Sequence, residues 1–197
     1  AATPAHAGPI TFAAYANNDQ WIVTSSLDGT AIVRDATTLD VIHHLSAHSA
    51  PIVSAALHTD GKYFATADSG GTIHVWNLDD GKRLQTLVGL RGTIVGCSFS
   101  AFAVRLAAFA SDGTWRVWQV GSGEPIELDS SMENLLVKRA QYAPGGEELL
   151  LFPRPPRTGG TEKESEKTPA LAFQPFSLLL VGETGGVIEL PHDDLPG

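Results

Sequence analysis

Short apolar segments of about five residues, separated by polar or glycine-rich turns, run through most of the chain. A set of four such segments returns every 42 residues, with no helical periodicity between the sets. The plainest copies are LDGTAIVRD at 27–35, DSGGTIHVWN at 68–77 and SDGTWRVWQ at 111–119. A constant offset with matching residue types indicates a repeat protein, so the pattern predicts all-β units of four antiparallel strands.

Several predicted strands are apolar on both faces, such as IVT at 22–24 and LAAFA at 106–110. A strand with one face in water would instead alternate apolar and polar residues. Burial on both faces is expected when each small sheet lies between two similar sheets, as in a radial arrangement of blades. A β-sandwich also buries short strands, but it gives no reason for a 42-residue period. The sequence therefore predicts a β-propeller segment of four to five antiparallel four-stranded blades.

The repeats resemble those of the WD-repeat β-propeller family. The consensus of that family has a histidine in the loop before the first strand, an Asp-Gly turn before the third strand, and a tryptophan at the end of the third strand. The residues that match these three features are His6 and His48, Asp28 and Asp112, and Trp76 and Trp118.

The copies also depart from the consensus. Leu90 replaces one histidine, Arg34 one tryptophan and Gly70 one aspartate. The resemblance implies a buried hydrogen-bond chain of His, Ser/Thr, Asp and Trp in each blade. Ser26 would supply the hydroxyl of the first blade, and Ala110 would break the chain of the third. We therefore expect that no blade completes this chain and that strand packing provides most of the stability.

The whole chain, 1–197, is predicted to be a single propeller domain and part of a longer polypeptide. Its complete blades are expected at 6–47, 48–89 and 90–131, followed by incomplete blades at 132–152 and 171–190. The proline-rich and charged segment 153–169 is expected to be a mobile loop. An alternative has four blades, with 153–181 as an insertion and 187–190 as the third strand of the fourth.

The number of blades raises the question of ring closure. Closed propellers of the resembled family usually have about seven blades. We therefore expect that the rest of a longer chain or another subunit closes the ring, or that the blades form an open arc.

The charge of the chain bears on its partners. It carries 22 acidic and 13 basic residues, a net charge of −9. An acidic surface repels phosphate backbones and anionic lipids, so we expect neutral or basic protein and peptide partners, and neither direct nucleic-acid nor membrane binding. One cysteine and no apolar run of 18 residues favour an intracellular protein, cytoplasmic or nuclear.

Residues with catalytic or metal-binding chemistry do not form a known motif. His43 and His44 are adjacent on a predicted strand and point to opposite faces, so with His48 they are not expected to bind metal. Cys97, in the middle of a strand, is expected to be a buried structural thiol. We predict that the protein is not an enzyme and has no cofactor.

The resemblance also implies where partners bind. Members of the family commonly dock partners on the face where the loop before the first strand and the turn before the third strand emerge. Position by position, this marks Thr11, Leu27, Val53, Ser69, Val95 and Ser111.

The predicted function is a non-catalytic scaffold for protein–protein interactions. The alternative is a propeller-scaffold enzyme with an active site at the mouth of the channel. A third hypothesis is the product of a damaged gene, since the fourth repeat lacks predicted strands.

Overall fold

The computed structural model describes residues 6–46, 48–102, 104–126, 135–143, 149–153, 178–181 and 187–190. These residues form strands, turns and loops and contain no helix. The strands belong to four antiparallel sheets, which we call blades 1 to 4. The all-β prediction is therefore confirmed.

Blades 1 and 2 each consist of four strands in sequential order. Blade 1 contains β1 (Ile10–Ala16), β2 (Trp21–Ser26), β3 (Thr30–Asp35) and β4 (Val41–Ser46). Blade 2 contains β5 (Ile52–Leu57), β6 (Tyr63–Asp68), β7 (Ile73–Asn77) and β8 (Arg83–Leu87).

Blade 3 contains three described strands: β9 (Ile94–Phe99), β10 (Arg105–Ala110) and β11 (Trp115–Gln119). The complete blade predicted at 90–131 requires a fourth strand, and this strand begins after β11. Pro125 forms a β-bridge with Trp118, and the Ile126 amide donates to the Val117 carbonyl at 2.9 Å. The rest of the predicted strand lies outside the described residues.

Blade 4 contains β12 (Val137–Tyr142), β13 (Leu149–Pro153), β14 (Leu178–Val181) and β15 (Val187–Leu190), paired in that order. This differs from the expected pair of incomplete blades at 132–152 and 171–190. Because Leu150 pairs with Leu180, β14 is the third strand of blade 4, and β15 is the fourth. The alternative with four blades is closer to the structure, but it assigned 187–190 as the third strand rather than the fourth.

The wrong assignment of the strands in blade 4 has a simple cause. Two apolar strands around a Gly-Gly turn look the same in sequence whether they form the second and third or the third and fourth strands. The strands assigned as missing are present, so the observation behind the damaged-gene hypothesis no longer holds. Apart from Pro153, the predicted loop 153–169 lies outside the described residues.

The turn before the third strand has the same backbone geometry in blades 1 to 3. Gly29, Gly71 and Gly113 occupy equivalent positions with φ of 83°, 88° and 96°. Residues with a Cβ atom rarely adopt this conformation, so glycine is required at this point of each turn. The glycines therefore fix the length of the turn and the register of the repeat.

Three apolar clusters lie between successive blades. Val23 and Val33 of blade 1 meet Phe64 of blade 2 in the first. Ala65 and Val75 of blade 2 meet Leu106 of blade 3 in the second, and Phe109 of blade 3 meets Tyr142 and Leu151 of blade 4 in the third. The first strands β1, β5, β9 and β12 are neighbours in turn. The radial packing of blades is thus confirmed, and the first strands form the inner edge of the arc.

Candidate functional site

One hydrogen bond repeats at the same end of blades 1, 2 and 3. The amides of Leu27, Ser69 and Ser111 donate to the carbonyls of Pro9, Pro51 and Thr93, each at 2.9 Å. Each bond joins the turn before the third strand to the loop before the first strand. The backbone therefore holds these two segments together at one end of blades 1 to 3.

The six predicted partner-binding residues lie beside these bonds, and we call them the rim. Val95 is 52% exposed and Leu27 is 40% exposed. Thr11 and Ser111 are also exposed, whereas Val53 and Ser69 are half-buried. Each of blades 1 to 3 contributes two of these residues, one from its first strand and one from the turn before its third strand. Whether they bind a partner stays a prediction.

Hydrogen bonds also connect the rim of one blade to the next and join residues within a blade. The Thr93 hydroxyl donates to the Ser69 carbonyl at 3.2 Å, which links blade 3 to blade 2. In blade 1 the hydroxyls of Thr11 and Ser25 lie 3.0 Å apart. Such bonds reduce the freedom of the rim backbone, so a bound partner would meet a preorganised surface.

Aspartates at the rim turns hold the backbone rather than form a catalytic group. Asp28 Oδ1 accepts the amide of Thr30 at 2.9 Å and its hydroxyl at 2.6 Å, and Asp112 accepts the same two groups of Thr114 at 2.9 and 2.7 Å. Burial opposes ionisation of Asp28, but the bonds from Thr30 and Ala7 outweigh it and hold its pKa well below the usual range. Asp28 is therefore an ionised acceptor, and both carboxylates have structural partners in their own turns.

Blade 2 contains a complete buried hydrogen-bond chain, so the expectation that no blade completes it is wrong. Trp76 Nε1 donates to Thr66 Oγ1 at 2.8 Å. His48 Nε2 lies 2.8 Å from the same oxygen, and His48 Nδ1 lies 2.9 Å from Asp68 Oδ2. Asp68 Oδ1 also accepts the amides of Gly70 and Thr72 at 3.0 and 2.9 Å.

The error came from two positions in the repeat. The hydroxyl belongs to Thr66. It lies two residues before the position at which Ser26 and Ala110 led us to expect it. The carboxylate is Asp68, at the end of β6, rather than the residue at Gly70. A carboxylate at either position can reach the loop histidine and the turn amides, which a fixed 42-residue offset does not reveal.

The corresponding chains of blades 1 and 3 are incomplete, as predicted. In blade 1, His6 Nε2 lies 2.9 Å from Thr24 Oγ1, but Arg34 occupies the tryptophan position. In blade 3, Leu90 replaces the histidine and Ala108 the hydroxyl. Both residues are buried in the cluster between blades 2 and 3, where they contribute apolar packing instead.

A second buried histidine extends the network of blade 2. The His74 ring lies 4.2 Å from the His48 ring and 5.8 Å from that of Trp76. Its Nδ1 lies 3.1 Å from the Thr86 hydroxyl. Burial lowers the pKa of His48, although the neighbouring Asp68 acts in the opposite direction. His74 was not singled out from the sequence, where it occupies an ordinary strand position.

The remaining candidates do not assemble into a reactive centre. His43 is half-buried and His44 exposed on β4. The described part of the chain contains no group of three His, Cys, Asp or Glu residues that could hold a metal ion. Burial raises the pKa of Cys97 to about 11, and its Sγ lies 3.7 Å from Ser54 Oγ. A raised pKa keeps the thiol protonated and makes it a weak nucleophile near neutral pH.

A groove of about 470 Å³ runs along the inner edge of the arc. Phe12, Leu57, Val95 and Phe99 contribute apolar surface to it, and Arg139 is the one charged residue in its described lining. The described lining therefore lacks the paired carboxylates that most glycoside-hydrolysing sites use.

The radial four-stranded sheets and their repeated turns define a partial β-propeller. A family model described as "WD domain, G-beta repeat" matches residues 2–35 and 39–77, so the resemblance found in the sequence is confirmed in the first two repeats. No sequence among curated proteins matches the chain.

Solved structures with similar coordinates are propellers. The alignment with "Structure of U3-55K" has a TM-score of 0.67 at 18% identity, and it covers 94% of this chain and 53% of that chain. "Crystal structure of RRP9 WD40 repeats" also has a TM-score of 0.67 at 18% identity, with 94% and 52% covered. The Cps50 (Swd1) β-propeller domain of Myceliophteria thermophila has a TM-score of 0.63 at 20% identity, with 75% and 50% covered.

The chain thus spans about half the length of the structures it matches. Among its described residues, no helix has the length and apolar character needed to cross a membrane.

Proposed function

We propose that the chain is a non-catalytic scaffold that binds other proteins or peptides through the rim. The observation that carries this proposal is the hydrogen bond repeated at 2.9 Å in blades 1 to 3. It fixes two exposed segments of each blade at one end of the arc and sets them side by side from blade to blade. A preorganised row of short loops is a suitable surface for a partner, because little entropy is lost on binding.

The side chains of the rim indicate the character of the contact. Leu27 and Val95 are exposed apolar residues, and Thr11, Ser69 and Ser111 carry hydroxyls. Because the six rim residues are uncharged, they favour a contact made by apolar side chains and backbone groups. The net charge of −9 favours neutral or basic partners and disfavours nucleic acid and anionic membranes.

The proposal includes an intracellular location, cytoplasmic or nuclear, which is supported by the single cysteine. It also includes a partner that completes the ring, either the rest of a longer chain or another subunit. The matched structures support this part, since the alignment with the present chain covers only 50–53% of each of them.

The proposal places no reaction on the scaffold. Asp28 and Asp112 are occupied by backbone amides of their own turns, and the pKa of Cys97 is raised. The alternative, an enzyme with a site at the mouth of the channel, would need carboxylates or histidines that converge on the groove. Its described lining contains only Arg139 among charged residues, which favours the scaffold.

The test is a pull-down with the 197-residue chain and two matched variants. Val95→Glu changes the rim at a residue that is 52% exposed, and Leu84→Glu makes the same change on β8 at a residue that is 47% exposed. We expect proteins captured by the wild type to be lost with Val95→Glu and retained with Leu84→Glu, measured by quantitative mass spectrometry.

Equal capture by the wild type and both variants would contradict the rim as the docking surface. Loss with Leu84→Glu alone would place the contact on the outer strands instead. Near-identical urea midpoints for the three proteins would show that the charge, rather than misfolding, causes the difference.

A further inference from the structure

Two histidine rings lie side by side in the interior of blade 2. The His48 ring is 4.2 Å from the His74 ring. The His48 side chain is 1% exposed, and His74 is 4% exposed. Blade 3 has Leu90 and Arg116 at the equivalent positions, so it contains neither ring. Histidine changes its charge between pH 5 and 8. Blade 2 therefore buries a pair of groups that acid can charge, and blade 3 does not.

The hydrogen-bond partners of His48 indicate which ring nitrogen carries the proton at neutral pH. Trp76 Nε1 can only donate, so Thr66 Oγ1 accepts from it and keeps its own hydrogen for another partner. His48 Nε2, 2.8 Å from the same oxygen, accepts that hydrogen. His48 Nδ1 then donates to Asp68 Oδ2 at 2.9 Å. All four side chains are paired in this way while the ring is neutral.

Protonation of His48 would disturb this pairing. A hydrogen on Nε2 would point at Thr66 Oγ1, which already accepts from Trp76, and the Thr66 hydroxyl would lose its acceptor. Thr66 is fully buried, so water does not replace that acceptor. The new positive charge would also lie against the ring of His74. The closed interior of blade 2 therefore favours the neutral ring.

The charged and titratable groups around the ring act in both directions. In the described part of the chain they are Asp68 at the end of β6, His74 on β7 and Arg83 on β8. Burial is the largest influence and lowers the pKa of His48, Asp68 opposes it, and Arg83 adds to the lowering. The balance agrees with the geometry, since both favour the neutral ring in the closed state.

His48 belongs to the loop before the first strand of blade 2, and we call residues 48–51 the His48 loop. The Pro51 carbonyl in this loop accepts the Ser69 amide at 2.9 Å, which is the rim bond of blade 2. A Cβ on Gly29, in the rim turn of blade 1, would lie 3.3 Å from the His48 carbonyl oxygen. The His48 loop thus contacts the rim turns of two blades, and its histidine side chain anchors it in the interior.

We propose that the His48 loop is an acid-sensitive element that opens the rim of blade 2. In the open state the ring is in water and binds a proton with the ordinary pKa of about 6.5. Because the open state binds this proton more readily than the closed state, its population rises as the pH falls, by at most about tenfold for each pH unit. Opening breaks the bond between Ser69 and Pro51, whereas the strands of the blade stay paired.

The consequence for binding rests on the proposed function of the rim. A partner that requires the closed rim loses apparent affinity in proportion to the fraction of chains with an open loop. The partner would therefore be released in acid from blade 2, while the rim of blade 3 keeps its geometry. Opening of the loop is measured without a partner, so its failure is distinct from a failure of the rim as a docking surface.

The experiment follows amide hydrogen exchange of the 197-residue chain by NMR between pH 8 and 5, as protection relative to the intrinsic exchange rate at each pH. We expect the protection of the Ser69 amide to fall by about tenfold between pH 6.5 and 5. The Ser111 amide, which makes the same 2.9 Å bond to Thr93 in blade 3, is the internal control. Its protection should stay constant, because Leu90 replaces the histidine there.

Two variants identify the ring that responds. His48→Gln removes the titrating group but can still pair with Asp68 and Thr66, so its Ser69 protection should not change with pH. His74→Ile reproduces blade 1, where Ile32 occupies the equivalent position, and it retains His48. This variant should keep the acid response. Unchanged Ser111 protection at pH 8 would show that both variants are folded.

Several results would overturn the proposal. Constant Ser69 protection down to pH 5 would show that the loop stays closed in acid. Equal losses at Ser69 and Ser111 would indicate that the whole arc opens, rather than one loop. A response that persists in His48→Gln and disappears in His74→Ile would assign the effect to the other ring. If His48→Gln lowers the protection of Ser69 at every pH, the slope with pH still decides, because the proposal requires a flat profile.

Discussion

Blades 2 and 3 reach the same fold with different interiors. Blade 2 contains the buried chain from Asp68 through His48 and Thr66 to Trp76. Blade 3 has Leu90 and Ala108 where blade 2 has His48 and Thr66. Both blades nevertheless have the same strand pairing and the same positive φ at the glycine of the turn.

The difference shows which features determine the architecture. Apolar burial between blades and the geometry of the turns are common to both, so they are sufficient to form a blade. The polar chain is an addition that holds one blade in a unique arrangement, because each of its buried groups requires a specific partner. Blade 2 should therefore be sensitive to loss of a hydrogen bond, and blade 3 to changes of volume.

The largest effect is expected for Thr66→Val in blade 2. The substitution preserves the shape of the side chain but removes the oxygen shared by Trp76 Nε1 and His48 Nε2. Two buried polar groups then lack a partner, which should lower the free energy of unfolding by about 2–4 kcal/mol. The measurement is urea denaturation followed by tryptophan fluorescence.

Thr24→Val in blade 1 is the matched control. Its hydroxyl contacts His6 at 2.9 Å in a chain that ends without a tryptophan. A loss of about 1 kcal/mol is expected there. Similar losses at the two positions would show that the complete chain adds nothing beyond a single hydrogen bond.

A smaller loss is expected for Gly96→Ala in blade 3. A Cβ at Gly96 would lie 2.4 Å from Cε1 of Phe109, which packs against blade 4. The ring must shift within a close-packed cluster, which should cost about 1–3 kcal/mol. Urea denaturation would again measure the change.

Phe109→Leu tests the cause of that loss. The smaller side chain frees space over residue 96, so Gly96→Ala should cost less in the Phe109→Leu background than in the wild type. If the two effects simply add, the clash between these residues is not the source of the destabilisation.

The smallest effect is a pH dependence that originates in blade 2. Burial lowers the pKa of His48 in the folded state, so the unfolded chain binds the proton more readily. The contribution is therefore fully present above the unfolded pKa of about 6.5 and is lost as the pH falls below it. The expected slope is at most about 1.4 kcal/mol for each pH unit.

Urea midpoints between pH 5 and 8 would measure this slope for the wild type and His48→Gln. The glutamine cannot titrate, so its curve should be flatter below pH 6.5. Asp68 and His74 face the same ring, and both are retained in the variant. Parallel curves would assign the acid sensitivity to other groups.

The fold could be predicted from the sequence because three copies of the repeat can be compared with one another. Gly29, Gly71 and Gly113 recur at a constant offset, and each lies before a strand that ends near Arg34, Trp76 or Trp118. The offset therefore predicted both the pairing of neighbouring strands and the burial of both sheet faces. These features depend on local pattern, which one sequence contains.

The details of the polar chain and of blade 4 could not be predicted in this way. Thr24 and Ser26 both carry hydroxyls, so the pattern of blade 1 did not indicate which position bonds the histidine. In blade 4 the pairing of Leu150 with Leu180 joins residues 30 apart in sequence, across a segment with no counterpart in the other blades. Long-range pairing of this kind is not determined by the local alternation of residues.

The rim positions show the same limit. The repeat located Leu27, Ser69 and Ser111 at equivalent turns, and the structure places each beside its predicted loop. Which partner would contact them depends on a second molecule. A single chain contains only one side of that contact.

The connection from β13 to β14 has a consequence for how the protein could be modified. In blades 1 to 3 the link between the second and third strands is the short turn that carries the rim, whereas in blade 4 residues 154–177 separate the same two strands. The longer connection leaves the pairing of the two strands intact, because Leu149 still pairs with Val181. A fluorescent protein or an epitope inserted between 154 and 177 would join the chain between β13 and β14, outside the described strands of blade 4.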